Sequence, residues 1–199
     1  MKLAELVQTI RHEPKNSLYT MALEGVIGSG KSYEAEKLKD ELGEKTLLLS
    51  TDLFVKVGRN EWNGRIQKGD IDLREWYDLH KIREALESIN RQEKFTIAGL
   101  YDLANGSFDR REKIDAGSCD YMILEGLFSC DEFFDGLIDL RIFLDISVDT
   151  AMARAHSRDE TVRHLDHRGW LLKKEIFFEH YLPYMNRHKN RAELLLDPE

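Results

Sequence analysis

Residues 25–32 decide the fold class, because they run Gly25-Val26-Ile27-Gly28-Ser29-Gly30-Lys31-Ser32 and satisfy the phosphate-binding pattern G-x-x-x-x-G-K-[ST] in full. Glycines let the backbone bend so that successive N–H groups point inward around phosphate oxygens. The helix that follows such a loop turns the positive end of its dipole toward the same charge. We therefore predict that the whole segment binds the phosphates of a nucleotide, with Lys31 at the β- and γ-phosphates and Ser32 on Mg²⁺.

The sequence around this loop alternates between short apolar runs and helical patterns. A strand is predicted at 18–24, directly before the loop, and a helix at 33–42, directly after it. Further strands are predicted at 46–50, 95–98, 121–124, 140–144 and 192–196, and further helices at 3–12, 72–91, 149–158 and 170–187. Asp72 and Glu75 fit a capping box at the start of the helix at 72–91, and Pro183 interrupts the last helix. This alternation favours the α/β class, with a doubly wound, mostly parallel sheet covered by helices on both faces.

Composition and charge exclude several classes of protein. The chain has 199 residues, of which 42% are hydrophobic, so we expect one domain, residues 1–199, with an ordinary core. No run approaches the ~20 apolar residues of a membrane span, and the start of the chain lacks the apolar core of a signal peptide. The net charge of −8 disfavours binding to nucleic acid and to anionic membranes. Cys119 and Cys130 match neither a C-x-x-C nor a zinc-finger spacing, so the chain is predicted to be cytoplasmic.

Two carboxylates follow predicted strands at the edge of the sheet where the loop also lies. Asp52 comes just after the strand at 46–50, and Glu125 just after the strand at 121–124. The carboxyl ends of parallel strands meet at one edge of a sheet, where ligands bind in such folds. An acidic residue there can hold Mg²⁺ through its water molecules or accept a proton from an attacking hydroxyl. A solvated carboxylate or a helix cap remains the alternative for either residue.

Several segments resemble the uridine kinase and phosphoribulokinase family of P-loop small-molecule kinases. They are Ser50-Thr51-Asp52-Leu53-Phe54, the run 71–78 that contains Asp72, Leu100-Tyr101-Asp102, Leu124-Glu125-Gly126, and the stretches 139–145 and 154–159. The resemblance implies an ATP-dependent, uridine kinase-like enzyme that phosphorylates a hydroxyl of a nucleoside with Mg²⁺ as cofactor. It implies that Asp52 is the base, and that Ser32 and Glu125 hold the metal, partly through water. The residues that it places at the substrate are Asp52, Asp72, Tyr101 and Arg168.

An arginine-bearing lid is expected at about 154–170. The resemblance makes Arg158 a catalytic residue at the transferring phosphate, together with Lys31 and Asp52, and it places Arg154 and Arg163 at the nucleotide. Arg154 and Arg158 occupy positions i and i+4, so a helix puts both guanidinium groups on one face, which suits a clamp on phosphate oxygens. The same stretch carries three acidic residues, Asp159, Glu160 and Asp166. An ordinary salt-bridged helix face therefore remains the alternative.

The chain also departs from the pattern of the family. Val55 stands where the family usually has a tyrosine, residues 103–107 replace a histidine-containing segment, and Ala155 occupies the position of a lid arginine. Residues 23–27 are closer to the start of the loop in deoxynucleoside kinases. The acceptor is therefore left open among a nucleoside, a deoxynucleoside, pantothenate and a sugar or sugar phosphate.

Two other classes of function stay in consideration. A GTP-dependent switch would need the guanine-binding motif N-K-x-D, which the sequence lacks, and the D-x-x-G at 166–169 follows polar residues rather than a strand. A catalytically silent nucleotide-binding module would keep the loop without the transfer, and Val55 and residues 103–107 favour it. The predicted partners are ATP and a small-molecule acceptor, without nucleic acid or membrane, and a homo-oligomer stays open.

Overall fold

The computed structural model describes residues 1–12, 18–58, 61–62, 64–65, 68, 72–161 and 166–198. Its helices are α1 (Leu3–His12), α2 (Lys31–Leu42), α3 (Leu79–Asn90), α4 (Val148–Thr161), α5 (His167–Ile176) and α6 (Leu182–Arg191). Its strands are β1 (Tyr19–Gly25), β2 (Thr46–Ser50), β3 (Lys94–Leu100), β4 (Arg110–Asp115), β5 (Tyr121–Glu125), β6 (Leu140–Leu144) and β7 (Leu194–Leu196).

A five-stranded parallel sheet forms the centre of the molecule, in the order β2-β5-β1-β6-β7. Every residue of β5 and β6 is buried, as expected of parallel strands that are covered on both faces. From β1 the chain moves outward to β2 on one side and later to β6 and β7 on the other. This is the doubly wound arrangement of the α/β class, so the fold class predicted from the sequence is confirmed.

The sheet separates two apolar cores. On one face, Met21 and Leu23 of β1 pack with Leu6 of α1 and Leu38 of α2. On the other face, Ala22 belongs to a larger core that includes α3 and the C-terminal helices. Successive residues of a strand point to opposite faces, so β1 contributes to both cores. The loop that follows β1 is therefore held by a strand that is packed from both sides.

A buried carboxylate lies in the larger core directly before the loop. Glu24 is fully buried and accepts hydrogen bonds from the backbone N–H groups of Phe128 at 2.8 Å and Cys130 at 2.7 Å. Nδ1 of His188 lies 3.0 Å from Glu24 Oε1, and Nε2 of the same ring lies 3.8 Å from Asp131. Buried charges require partners of this kind, so β1 is tied to α6 at this point.

The helix predicted at 72–91 begins later than expected. Residues 73–76 form turns, and α3 begins only at Leu79. Asp78, not Asp72, caps this helix by accepting a hydrogen bond from Lys81 N at 3.1 Å, so the predicted capping box with Glu75 is wrong. The reason is tertiary, because the buried residue before the cap, Tyr77, pairs with Val55 in an antiparallel bridge.

The strand predicted at 95–98 lies outside the central sheet. It is part of β3, which pairs with β4 in a separate antiparallel two-stranded sheet. The sequence did not predict β4, because its residues, RREKID, are charged and mostly exposed. Helices were also expected between the later strands, but β5 and β6 are joined through only a short 3₁₀ turn, Glu132–Phe134.

The last helix is interrupted as predicted, although by a π-helical turn and not by a break in the helix. Between α5 and α6 the residues Phe177–Tyr181 form a π-helical turn, and Pro183 then falls in the first turn of α6. Proline is tolerated there because the first N–H groups of a helix have no intrahelical acceptor. Across the residues that the structure describes, none of the helices combines the length and the apolar character needed to cross a membrane.

Candidate active site

The ends of three neighbouring strands bring the predicted site residues to one edge of the sheet. Glu125, the last residue of β5, is in register with Leu23 of β1 on one side and with Ser50 of β2 on the other. The loop follows β1, and Asp52 lies in the 3₁₀ turn Thr51–Phe54 that follows β2. The structure therefore places Asp52 and Glu125 beside the loop, at the edge where the sequence predicted them.

The loop has the shape that phosphate binding requires. Gly28 and Gly30 have φ angles of 84° and 95°, in the left-handed region that favours glycine. A Cβ atom at Gly28 would lie 2.1 Å from the carbonyl oxygen of Ala151, so α4 packs directly against the loop. α2 begins at Lys31 without a side-chain cap, which leaves its first N–H groups to face a ligand. The hydroxyl of Ser29 is buried and has no hydrogen-bond partner among the described residues.

Lys31 folds back onto the loop that precedes it. Its Nζ donates to the carbonyl oxygens of Gly25 at 3.0 Å and Val26 at 3.1 Å. Desolvation lowers the pKa of this ammonium group, and the carboxylates of Asp52 and Glu125 oppose that shift. The side chain is thus held inside the loop by two carbonyl oxygens, and the two nearby carboxylates favour its charged form.

Ser32 and Glu125 offer oxygen ligands side by side. The Ser32 hydroxyl lies 3.3 and 3.4 Å from the two carboxylate oxygens of Glu125. Burial raises the pKa of Glu125, and hydrogen bonds from Ser50 and Ser32 act against that shift. The described residues contain no group of three or more acidic, histidine or cysteine side chains that could hold a metal ion by themselves. A hydroxyl and one carboxylate fit Mg²⁺, which usually takes one or two protein ligands together with phosphates and water.

A tyrosine hydroxyl that the sequence did not predict lies beside Asp52. Tyr77 donates a hydrogen bond to Asp52 Oδ1 at 3.3 Å, and the backbone N–H of Asp52 donates to Ser50 Oγ at 3.3 Å. Tyr77 reaches this position because its backbone forms the bridge to Val55. Val55 has no hydroxyl, but the residue that is bridged to it places one beside Asp52.

The loop and the two carboxylates open onto one cleft of about 290 Å³. Beyond Asp52 its wall is mainly apolar and aromatic, formed by Val55, Trp62, Tyr77, Tyr101, Leu103 and Leu127. The ring of Tyr101 packs against Phe108 of the β3–β4 hairpin, with 5.2 Å between the ring centroids. The predicted substrate residue Tyr101 therefore does line the cleft. Asp72 does not, since it is exposed and accepts a hydrogen bond from Arg74 N at 3.0 Å.

The predicted lid arginines occupy different places. Arg158 lines the cleft, whereas Arg154 and Arg168 are exposed and do not. Arg163 lies outside the described residues. Lys173 of α5, which no motif indicated, lines the cleft together with Arg158.

Comparisons with known proteins identify the family of the chain and support its fold. The model of the phosphoribulokinase / uridine kinase family matches residues 20–198. The uridine kinase of Saccharomyces cerevisiae is 26% identical over 167 residues, which span 82% of this chain and 33% of that protein, so the chain matches about a third of the length of this curated relative. A proposed fructose transport system kinase from Silicibacter sp. TM1040 has a TM-score of 0.72 and 20% identity over 98% of each chain. A proposed uridine kinase from Bacillus stearothermophilus has a TM-score of 0.68 and 16% identity, over 98% of this chain and 97% of that chain.

Proposed function

Because the chain belongs to the phosphoribulokinase and uridine kinase family, we propose that it transfers the γ-phosphoryl group of ATP to a hydroxyl of a small molecule. The observation that carries this proposal is the meeting of three groups at one edge of the sheet. These are the loop cation Lys31, the hydroxyl and carboxylate pair of Ser32 and Glu125, and the carboxylate of Asp52. Phosphoryl transfer needs a phosphate cradle, a metal site and a group that positions the nucleophile, and each has a candidate here.

On the donor side, residues 25–32 hold the phosphates of ATP through backbone N–H groups. The ammonium of Lys31 exchanges the carbonyl oxygens of Gly25 and Val26 for oxygens of the β- and γ-phosphates. Ser32 and Glu125 would hold Mg²⁺, in part through water, and the metal would supply positive charge that offsets the charge of the phosphates. The helix α4 is proposed to act as part of a lid, since its Arg158 lines the cleft beside the loop.

On the acceptor side, Asp52 receives the proton of the attacking hydroxyl. Tyr77 donates to Oδ1 of this carboxylate, and Asp52 itself lines the cleft that would hold the acceptor. A carboxylate that is held by a neighbouring hydroxyl keeps its orientation during the transfer, and positioning is most of what an enzyme contributes to this reaction.

The lining of the cleft favours a nucleoside over a phosphorylated sugar as acceptor. Among the described residues of the lining, the cations are Lys31, Arg158 and Lys173. Lys31 belongs to the loop and Arg158 to the helix that packs on it, and Lys173 shares the carboxylate of Asp159 with Arg158, so all three lie on the donor side. The acceptor side instead presents aromatic and aliphatic surface, including Trp62 and Tyr101, which suits a flat, uncharged base.

The test of this function is a coupled ADP assay with MgATP. The acceptors to compare are nucleosides, deoxynucleosides, pantothenate, free sugars and sugar phosphates, each at saturating ATP. We expect ADP release that depends on the added acceptor and is fastest with a nucleoside. Fastest release with a sugar phosphate would contradict the assignment of the acceptor. Nucleotide binding without acceptor-dependent ADP release from any compound would indicate a binding module instead of a kinase.

Ser32→Ala is expected to weaken the binding of MgATP roughly tenfold and to leave metal-free ATP binding nearly unchanged, since the hydroxyl is proposed as a metal ligand. Titration calorimetry with Mg²⁺ and with EDTA measures both affinities. The control is Ser118→Ala, because Ser118 is exposed near the opposite end of β5.

The same titration has an informative pH dependence. Burial raises the pKa of Glu125, so a proton competes with the metal at higher pH than it would at an exposed glutamate. On acidification, the gain in ATP affinity that Mg²⁺ provides is therefore expected to begin falling at a higher pH than an exposed glutamate would give.

In the Ser32→Ala experiment, equal losses of ATP affinity with and without metal would rule out the ligand role of Ser32.

A further inference from the structure

A buried carboxylate holds two cations beside the cleft. Of the described acidic and basic residues of α4, only Asp159 is buried, with a side chain that is 1% exposed. Its Oδ1 accepts from Nε of Arg158 at 3.3 Å and from Nη2 at 3.2 Å. Its Oδ2 accepts from Nζ of Lys173, which lies 14 residues farther along the chain on α5. One carboxylate thus joins a guanidinium group and an ammonium group that come from two helices.

Both cations remain accessible from the cleft although the carboxylate is not. The side chain of Arg158 is 40% exposed and that of Lys173 is 21% exposed, and both line the cleft with Lys31. A buried carboxylate needs compensation, but a single guanidinium group supplies the full opposite charge. Among the described residues, this one carboxylate therefore faces two cations, and both of them line the cleft where the phosphates are proposed to bind.

The chemistry of an ammonium group suits this position. It carries three N–H donors on a flexible stem, so it can hold Asp159 with one of them and donate to a phosphate oxygen with another. The guanidinium group of Arg158 has five donors and can do the same. Negative charge is redistributed over the oxygens of the γ-phosphoryl group during transfer, and preorganised donors act most strongly there.

We propose that Lys173 is a further catalytic residue, which contacts the transferring phosphoryl group together with Arg158, and that Asp159 is the positioning residue that holds both. This inference rests on the function proposed above. It assigns to α5 a chemical role that the motifs of the sequence did not indicate. It also joins the two helices of the lid region through one buried group.

The first test compares two adjacent lysines. Lys173→Met keeps the aliphatic stem and removes the charge, and we expect kcat to fall about 10–100-fold, as for the loss of one preorganised donor. Lys174→Met is the matched control, because Lys174 is exposed and does not line the cleft. It is expected to keep its rate within about twofold, as is usual for a surface change. Lys173→Arg should recover part of the lost rate, since it restores the charge.

The outcome that overturns the proposal is a Lys173→Met enzyme that melts at a lower temperature but retains kcat within about twofold, as expected of a purely structural ion pair. Equal rate losses in Lys173→Met and Lys174→Met would overturn it as well. Either result would return Lys173 to the role of a partner for Asp159.

Nucleotide affinity separates a failure of this proposal from a failure of the proposed kinase function. If no acceptor supports ADP release, titration calorimetry still compares ATP with AMP, which lacks the outer phosphates. Lys173→Met is expected to weaken ATP binding about 3–10-fold and to leave AMP binding unchanged, since a charged hydrogen bond to an outer phosphate is lost. Equal effects on the two nucleotides, or none, would contradict the contact.

The role of Asp159 has its own measurement. Asp159→Asn removes negative charge from the cleft wall, so the affinity for ATP is expected not to fall, whereas kcat is expected to fall about tenfold because both cations lose their anchor. A well-folded variant with unchanged kcat would overturn the positioning role. If the variant does not fold, the comparison of Lys173 with Lys174 decides by itself whether the cluster acts on phosphate.

Discussion

Asp52→Asn is expected to lower acceptor-dependent ADP formation by roughly 10²–10⁴-fold, the usual contribution of a general base, while MgATP still binds. Asparagine keeps the size of the side chain and can still accept a hydrogen bond from Tyr77, which lies 3.3 Å from Oδ1. The amide cannot take up the proton of the acceptor hydroxyl. A loss of transfer with retained binding would place chemistry at this edge of the sheet, and not phosphate binding alone.

Two controls make the Asp52 result specific. The assay is repeated at saturating Mg²⁺, where a defect that concerns only metal affinity would recover. Asp40→Asn serves as the matched variant, because Asp40 is exposed near the end of α2 and the cleft lining does not include it. Unchanged ADP formation in Asp52→Asn at saturating metal would contradict the assignment of Asp52 as the base, and Glu125, the other carboxylate among the described residues of the cleft lining, would be the next to substitute.

Lys31→Met is expected to reduce turnover at least about 100-fold, because the ammonium group is proposed to meet the β- and γ-phosphates, where charge develops. The methionine side chain retains the aliphatic stem. Among the described residues, the variant loses two hydrogen bonds, to Gly25 and Val26, so thermal unfolding is expected to show a native fold. Steady-state kinetics and a melting curve on the same preparation measure the two effects separately.

The matched control for Lys31→Met is a substitution of another lysine on the same helix. Lys39 forms an ion pair at 3.7 Å with Glu36 in α2 and lies outside the cleft lining, so Lys39→Met should keep nearly full activity. A Lys31→Met enzyme that retains more than a tenth of its rate would contradict the assignment of this loop. Loss of the native melting transition would instead mean that the hydrogen bonds from Lys31 to Gly25 and Val26 are needed for folding.

The parts of the fold that the sequence predicted are those specified by local patterns. The glycine loop, the apolar run at β5 and the helix α1 each carry their own signal within a few residues, and the structure contains all of them. The start of α3 was not predictable in this way. Asp72 and Asp78 both resemble helix caps, and the choice between them depends on the bridge from Tyr77 to Val55, which is a contact between separate parts of the chain.

The same limit applies to the candidate site. The positions of Asp52 and Glu125 follow from strand ends, because parallel strands must deliver them to one edge. Arg154 and Arg158 share a helical spacing, but only Arg158 reaches the cleft, since the residue one turn earlier on α4 is exposed. No sequence motif indicated Lys173 as a site residue. It reaches the cleft from a different helix, and no sequence pattern relates that helix to the loop.

The close approach of the loop to α4 has a mechanical consequence. The backbone of Gly28 fits against Ala151 only because a methyl group is missing, and a Cβ atom at this position would also lie 3.1 Å from Cβ of Ala155. The short distance between the phosphate loop and α4 therefore depends on the absence of a side chain at Gly28. A tilt of α4 presses on the loop backbone without any intervening side chain that could yield by changing its rotamer. The loop and α4 are therefore mechanically coupled, so a movement of the proposed lid helix would also displace the backbone that is proposed to hold the nucleotide phosphates.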